Sequence, residues 1–399
     1  MPEDLQIYLL LLFAVIAGWM LGRFLPRQKQ AGTTQSRDLF DDYFLGLNYL
    51  LNDEPDEAID TFIRALEVNS ETIETHLALG ALLRRRGKVD KAIKVHQTLL
   101  ARPGMSQQFT DSTRLQLAID YIAAGLLDRA ERLLNEILEE DTPAKWDALK
   151  HLITIYQTEK EWQKAIDCSR QLLGNSAYRR NQEVRSAAAH YCCELAQAGL
   201  AGKQFSEARA HIKRAFTFDR HSVRAAMMLA ELEQRSGNYQ AALRELKRIC
   251  TNHPEFIGRI MEPLTECFMA LGDRDGYERL LRQMLESHQD IHMLLALARL
   301  IRVQGGDSSA IQYLNQQLEK APYLSGVLEL LRYQLPHAQG ELQTNLHRLQ
   351  EMIDQLLSRR PFYRCNHCGY EAKSLYWLCP SCQKWDRMQP IMEASKLWS

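Results

Sequence analysis

One pattern of large and small apolar residues returns about every 34 residues, and no other feature limits the possible folds so tightly. A first copy reads Leu45-Gly46, Tyr49, Ala58, Phe62 and Ala65, and a second Leu79-Gly80, Leu83, Gly87, Ala92 and Leu99. The third gives Leu117-Ala118, Tyr121, Gly125, Ala130, Leu134 and Ile137, with Pro143 just beyond; the fourth carries Leu152, Tyr156, Ala165 and Leu172. Later copies centre on Leu195-Ala196 with Ala208 and Ile212, on Leu229-Ala230 with Gly237 and Ala242, on Leu264 with Phe268 and Gly272, and on Leu297-Ala298 with Gly305 and Ala310. Each copy is expected to form two antiparallel helices. The small residue after the first Leu and the Ala opening the second helix sit where the helices cross, and the mid-unit glycine makes the turn. One such pair cannot bury its own apolar face, so the copies must stack, here into a superhelix of about eight units plus closing helices. Spacing slips near Gly174–Arg185, where a longer connection is expected. Hydrophobic residues at 46% exclude a disordered chain, and abundant Leu, Ala, Glu, Arg and Gln favour an all-α body.

This pattern resembles the tetratricopeptide repeat family over most of residues 38–325. The resemblance implies a concave face that binds an extended peptide or a helix of another protein. Members that hold acidic C-terminal tails use Lys and Asn at set positions of first helices. Tyr43, Leu47, Leu77 and Ala81 stand at those positions, so a clamp of that kind is not expected. Arg84-Arg85-Arg86 and Arg179-Arg180 read as solvated helix ends opposing the dipole, or as an acidic docking patch. Arg299 and Arg302 fall on the expected inner face of the last copy.

Ahead of the repeats, Leu5–Leu25 is almost wholly apolar. At 1.5 Å per residue a helix of that length spans about 30 Å, the hydrocarbon thickness of a bilayer. Its acidic start (Glu3, Asp4) and long apolar run do not fit a cleavable signal, so residues 1–25 are expected to be a transmembrane anchor. Arg23, Arg27, Lys29 and Arg37 all lie at or beyond its C-terminal end, which places the body on the cytoplasmic side. Gly18 and Gly22 form a GxxxG pair, read either as ordinary membrane-helix composition or as a helix–helix contact. Residues 26–37, with Ala31–Ser36 as their polar core, read as a linker to repeats over 38–360. Basic and acidic residues nearly cancel, 49 against 50, which argues against nucleic acid as the main partner.

The nine cysteines are of two kinds. Cys168, Cys192, Cys193, Cys250 and Cys267 are scattered through helical segments and read as small buried hydrophobes in a reducing compartment. Cys365-Asn-His-Cys368 and Cys379-Pro-Ser-Cys382 instead form two CxxC knuckles ten residues apart. That spacing turns four thiolates inward to complete a tetrahedron around one metal ion, zinc in preference to iron. Four protein sulfurs leave no open position, so the metal is structural; His367 is not needed and is expected to be exposed. The segment resembles a rubredoxin-type or zinc-ribbon fold over residues 361–399. Gly369 matches the glycine after the first knuckle, whereas Gln383 stands where rubredoxins carry a second glycine. Tyr376, Trp377 and Trp385 exceed what so small a module hides; they either pack on the last repeats or form a docking surface.

No HExxH, GxSxG or dinucleotide-binding glycine motif occurs, so the chain is not expected to be an enzyme. Anchor, repeats and terminal CNHCGY…CPSC knuckle together resemble the lipopolysaccharide assembly protein B family. The resemblance implies an inner-membrane, single-pass adaptor on the cytoplasmic side that restrains lipopolysaccharide synthesis. It would present the deacetylase LpxC to an FtsH-type membrane protease, with a LapA-like small membrane protein and a YejM-like inner-membrane protein as further partners, and a homodimer as an open possibility. Two alternatives stay open: a general assembly scaffold without a role in proteolysis, and a redox accessory module.

Overall fold

The computed structural model of the chain describes residues 73–391 except Asp141, with Met20, Leu45, Gly46, Asn48, Tyr49, Glu57 and Thr61 as isolated positions. The expected anchor over Leu5–Leu25 (Met20 apart), its Gly18/Gly22 pair, the linker and most of the first repeat copy, with Tyr43 and Leu47, lie outside the described residues. Among the described residues no helix is long and apolar enough to cross a membrane.

The chain divides into two compact units, Met1–Ala144 and Lys145–Ser399. The described part of the first holds α1 (Ile73–Arg85), α2 (Val89–Leu100), α3 (Gln107–Ala123) and α4 (Leu127–Glu139). The second begins with α5 (Lys145–Thr158), α6 (Trp162–Gly174), α7 (Gln182–Ala201), α8 (Phe205–Phe218), α9 (Val223–Arg235) and α10 (Tyr239–Asn252). After a 3-10 turn at Pro254–Phe256 come α11 (Ile257–Leu271), α12 (Arg274–Ser287), α13 (Ile291–Lys320), α14 (Leu324–Gln334) and α15 (Gly340–Arg359). A small antiparallel sheet closes the unit: β1 (Tyr363–Cys365) lies between β2 (Glu371–Ala372) and β3 (Met388–Pro390).

Among the described residues, each repeat turns at one left-handed residue. Gly87, Gly125, Gly237 and Gly272 take φ of 77°, 75°, 78° and 68°. This conformation lets the next residue's N–H reach back to a carbonyl of the last helical turn, as Leu126 does to Tyr121 at 2.8 Å. In two copies a lysine holds that position, Lys160 (φ 59°) and Lys203 (φ 58°), with the same returning bond from Glu161 to Tyr156 and from Gln204 to Gly199. In the last copy the break falls at Gly306 (φ 78°), not at the expected Gly305, and divides α13 into its two helical halves. The alanines opening second helices, Ala92, Ala130, Ala165, Ala208, Ala242 and Ala310, are wholly buried. Only a methyl fits where the backbones cross. The longer connection expected near Gly174–Arg185 is the segment Asn175–Asn181 between α6 and α7.

In the first unit Arg84 is not a solvated helix end. Its guanidinium reaches Asp120 on α3 at 2.5 Å and Gln116 at 2.9 Å, and His96 on α2 meets the other Asp120 oxygen at 2.5 Å. Asp120 and His96 are wholly buried. Two hydrogen-bonded cationic or donor groups offset the desolvation of that carboxylate. The His96 ring lies over Gly80, where any Cβ would collide with it, which explains the small residue of that copy.

Candidate metal centre and its seat on the repeats

The sheet places β1 so that Cys365 ends a strand and Cys368 follows one tight turn later. Gly369 donates its N–H to the Cys365 carbonyl at 2.9 Å with φ 78°. The second knuckle repeats the geometry: Gln383 donates to the Cys379 carbonyl at 2.9 Å with φ 54°. Gln383 therefore fills the glycine position despite its side chain, whose Nε2 is tied to the Pro380 carbonyl at 3.0 Å. A left-handed non-glycine residue costs about 1–2 kcal/mol, which the organised knuckle has to offset.

The two knuckles bring four sulfurs within 4.8 Å of one another. Cys365 and Cys382 Sγ are 3.7 Å apart, as are those of Cys368 and Cys379. A tetrahedral ion with metal–sulfur bonds of about 2.3 Å demands sulfur–sulfur separations of about 3.8 Å. The site fits such an ion, and the separations are far beyond the ~2.05 Å of a disulfide. The four-cysteine cluster of this rubredoxin-type module points to one bound metal ion. His367 is exposed and outside the cluster.

Electrostatics divide the cluster's own thiols, for burial pushes the Cys382 thiol up to about 12. The Tyr370 backbone N–H, with Ser381 and the neighbouring sulfurs adding to it, draws the Cys368 thiol down to about 6. Burial pushes the thiols of Cys192 and Cys193 up to about 12. All five scattered cysteines are buried, as expected for small hydrophobes.

The aromatic residues of the ribbon do not sit on the last repeats. They sit on the middle ones. Trp385 stacks on His190 of α7, with centroids 4.7 Å apart and planes at 13°, and meets the edges of Trp162 and Tyr191. Its indole N–H donates to Gln157 Oε1 at 2.8 Å, and the Tyr191 hydroxyl donates to the same oxygen at 2.8 Å. Burial raises the Tyr191 phenol further above its ordinary value, so it stays a donor. His190 Nε2 donates to Asp386 Oδ1 at 2.6 Å, and Ser186 donates to the other oxygen. Burial alone would raise the Asp386 carboxyl, but His190, Ser186 and Arg224 outweigh it and hold it below the usual carboxylate range. Trp377 stacks on Phe256 at 5.8 Å and lies under the Arg224 guanidinium. Glu183 faces both Lys384 and Arg387 at the rim. Tyr376 alone of the three aromatics remains exposed, at 44%.

This seat leaves a cleft of about 480 Å³ between α7, α9, α11 and the ribbon, bounded by Gln197, Arg224, Glu231, Arg235, Arg259 and Trp377. The expected inner-face arginines are already engaged: Arg299 bonds Glu329 at 3.1 Å, and Arg302 bonds Asp307 at 2.5 Å. Sequence reasoning missed Gln157, His190 and Asp386. None belongs to a motif, and residues nearly 200 apart in the chain meet only through the fold.

Residues 363–390 match the rubredoxin metal binding domain family, and residues 75–104 and 193–255 match tetratricopeptide repeat families. The chain is 34% identical over 386 residues to lipopolysaccharide assembly protein B of Escherichia coli (strain K12), covering 96% of this chain and 97% of that protein. It is likewise 34% identical to the protein of that name from Haemophilus influenzae, covering 96% and 98%. A solved tetratricopeptide repeat protein of Parabacteroides merdae, 13% identical, aligns over 71% of this chain and all of its own with a TM-score of 0.34, too low to carry weight.

Proposed function

Because the chain belongs to the lipopolysaccharide assembly protein B family, we propose that it is a non-enzymatic adaptor that restrains lipopolysaccharide synthesis by presenting the LpxC deacetylase to an FtsH-type membrane protease. The observation that carries this reading is the nearly end-to-end match to those relatives, which spans repeats and metal module together. Cys365, Cys368, Cys379 and Cys382 hold one ion, zinc in preference to iron. When bound it supplies a four-point cross-link, with no open position for substrate. The chain's own residues then do the remaining work. Trp377, Trp385 and Asp386 seat the ribbon on α7 and α9, and the ribbon becomes one wall of the cleft beside Arg224. Leu5–Leu25 anchors the adaptor in the inner membrane with its body on the cytoplasmic side. A substrate held there meets the protease at raised effective concentration. LapA-like and YejM-like membrane proteins act on the same assembly.

Depletion of the protein, followed by a chase of LpxC, tests the reading. A lengthened LpxC lifetime, and recovery of the protease with the full chain from membranes, are expected. An unchanged lifetime would instead make the chain a general assembly scaffold for the pathway's enzymes.

A further inference from the structure

Helix α15 differs from every other helix of ten or more residues in the described part of the chain, because none of its twenty residues is buried. Leu346, Ile353 and Leu357 are half-buried against α14, yet Leu342, Leu349, Met352 and Leu356 are exposed at 59%, 48%, 60% and 53%. These four are spaced seven, three and four residues apart, the spacing of a coiled-coil seam. They form a stripe beside the half-buried face, so the apolar arc of α15 is wider than α14 covers. Scattered exposed leucines need no explanation; a continuous seam on one helix does.

The charges at the two ends of α15 identify what covers the seam. Glu341 lies in its first turn and Arg359 in its last. Neither forms an ion pair among the described residues. Two copies of α15 laid antiparallel, with Leu349 and Met352 of each against those of the other, bring Glu341 of one copy to Arg359 and Arg360 of the other, twice by symmetry. A parallel arrangement would set Glu341 against Glu341 and Arg359 against Arg359. The macrodipoles add to the antiparallel preference, since each helix end meets the opposite end of its neighbour. The sequence of α15 is thus self-complementary in one orientation only.

We propose that α15 is an isologous two-fold interface through which two copies of this chain associate, with the seam Leu342–Leu349–Met352–Leu356 at its centre. A helix pair of this length falls below the roughly 800 Å² per partner of a standard stable interface. The dimer is therefore weak and concentration-dependent.

The test uses the full chain in detergent with a short bis-maleimide cross-linker, against the unsubstituted chain as background. Leu342→Cys and Leu356→Cys are prepared separately and then mixed. Antiparallel pairing yields cross-linked dimer in the mixture and none above background in either variant alone. Cross-linking of each variant with itself, not increased by mixing, means parallel pairing and overturns the orientation. No cross-linking in any sample means that another partner, or none, covers the seam, and overturns the proposal. Glu341→Arg is expected to weaken association at least about tenfold, and Glu341→Arg combined with Arg359→Glu and Arg360→Glu to restore it. Restoration excludes misfolding as the cause. Unimpaired association of Glu341→Arg, or failure of the combined variant to recover, would contradict the pairing.

Discussion

Eighteen buried residues form one continuous apolar cluster across α9–α13, whereas the ribbon buries three, Cys365, Cys379 and Met388, and two of those are sulfurs of the metal site. The repeats are stable by the ordinary route of apolar burial, with each helix pair lending its neighbour a wall. The ribbon has almost no core of its own. It takes its shape from four sulfurs and its position from aromatic rings laid on helices that are already folded. The difference teaches that one compact unit contains two kinds of stability, one distributed and one concentrated at a few atoms.

The sharpest way to break this contrast is Cys379→Ser. Removing one buried ligand should abolish tight metal binding, to which structural tetrathiolate sites owe about 10–16 kcal/mol. Metal content should fall to background while far-UV helical signal stays nearly unchanged. Next in size is Asp120→Ala, which leaves His96 and Arg84 facing a void in the first unit. A loss of about 3–5 kcal/mol is expected in denaturant unfolding of that unit, with metal content intact. Should the metal be lost as well, the two regions would not be independent.

Trp385→Ala acts between the two regions. It removes the stacked ring on His190 and the bond to Gln157. Because the ring is only half-buried, docking should weaken by about 2–3 kcal/mol, less than for a fully buried tryptophan. Metal should stay bound while limited proteolysis begins to cut around Phe362. The smallest effect belongs to Asp386. Its carboxyl is depressed in the docked state, so the docked form binds fewer protons than the undocked one. That contribution is present above the ordinary carboxylate value of about 3.9 and is lost as pH falls through the depressed one. With the side chain 43% exposed, solvent screening limits it to less than about 1 kcal/mol. Asp386→Asn should remove the pH dependence of docking that sets in below about pH 4, followed by tryptophan fluorescence with metal content measured in parallel.

Much of this architecture is legible from residue patterns. Alanines at the crossing points and glycines at the turns mark helix pairs because sterics admit little else there. The CxxC spacing marks the knuckles because thiolate geometry does. Legibility ends where a role depends on a distant partner. Lys160 and Lys203 occupy glycine-like turns that no propensity indicates, held by the same returning bonds that glycine makes in other copies. Arg84 looks like any basic helix end until α3 brings Asp120 beneath it. The seat of the ribbon was equally hidden: aromatic excess signals that Trp377 and Trp385 need cover, but not that α7, rather than the last repeats, provides it.

Hydrogen exchange of the full chain before and after metal removal by a chelator tests the central claim directly. Protection should collapse over residues 363–390 and fall on the docking face of α7, around Ser186 to Tyr191, while the buried segments of α1–α4 and α9–α11 keep theirs. Unchanged protection of the ribbon without metal, or loss of protection throughout the repeats, would contradict a metal-organised module seated on an independently stable array.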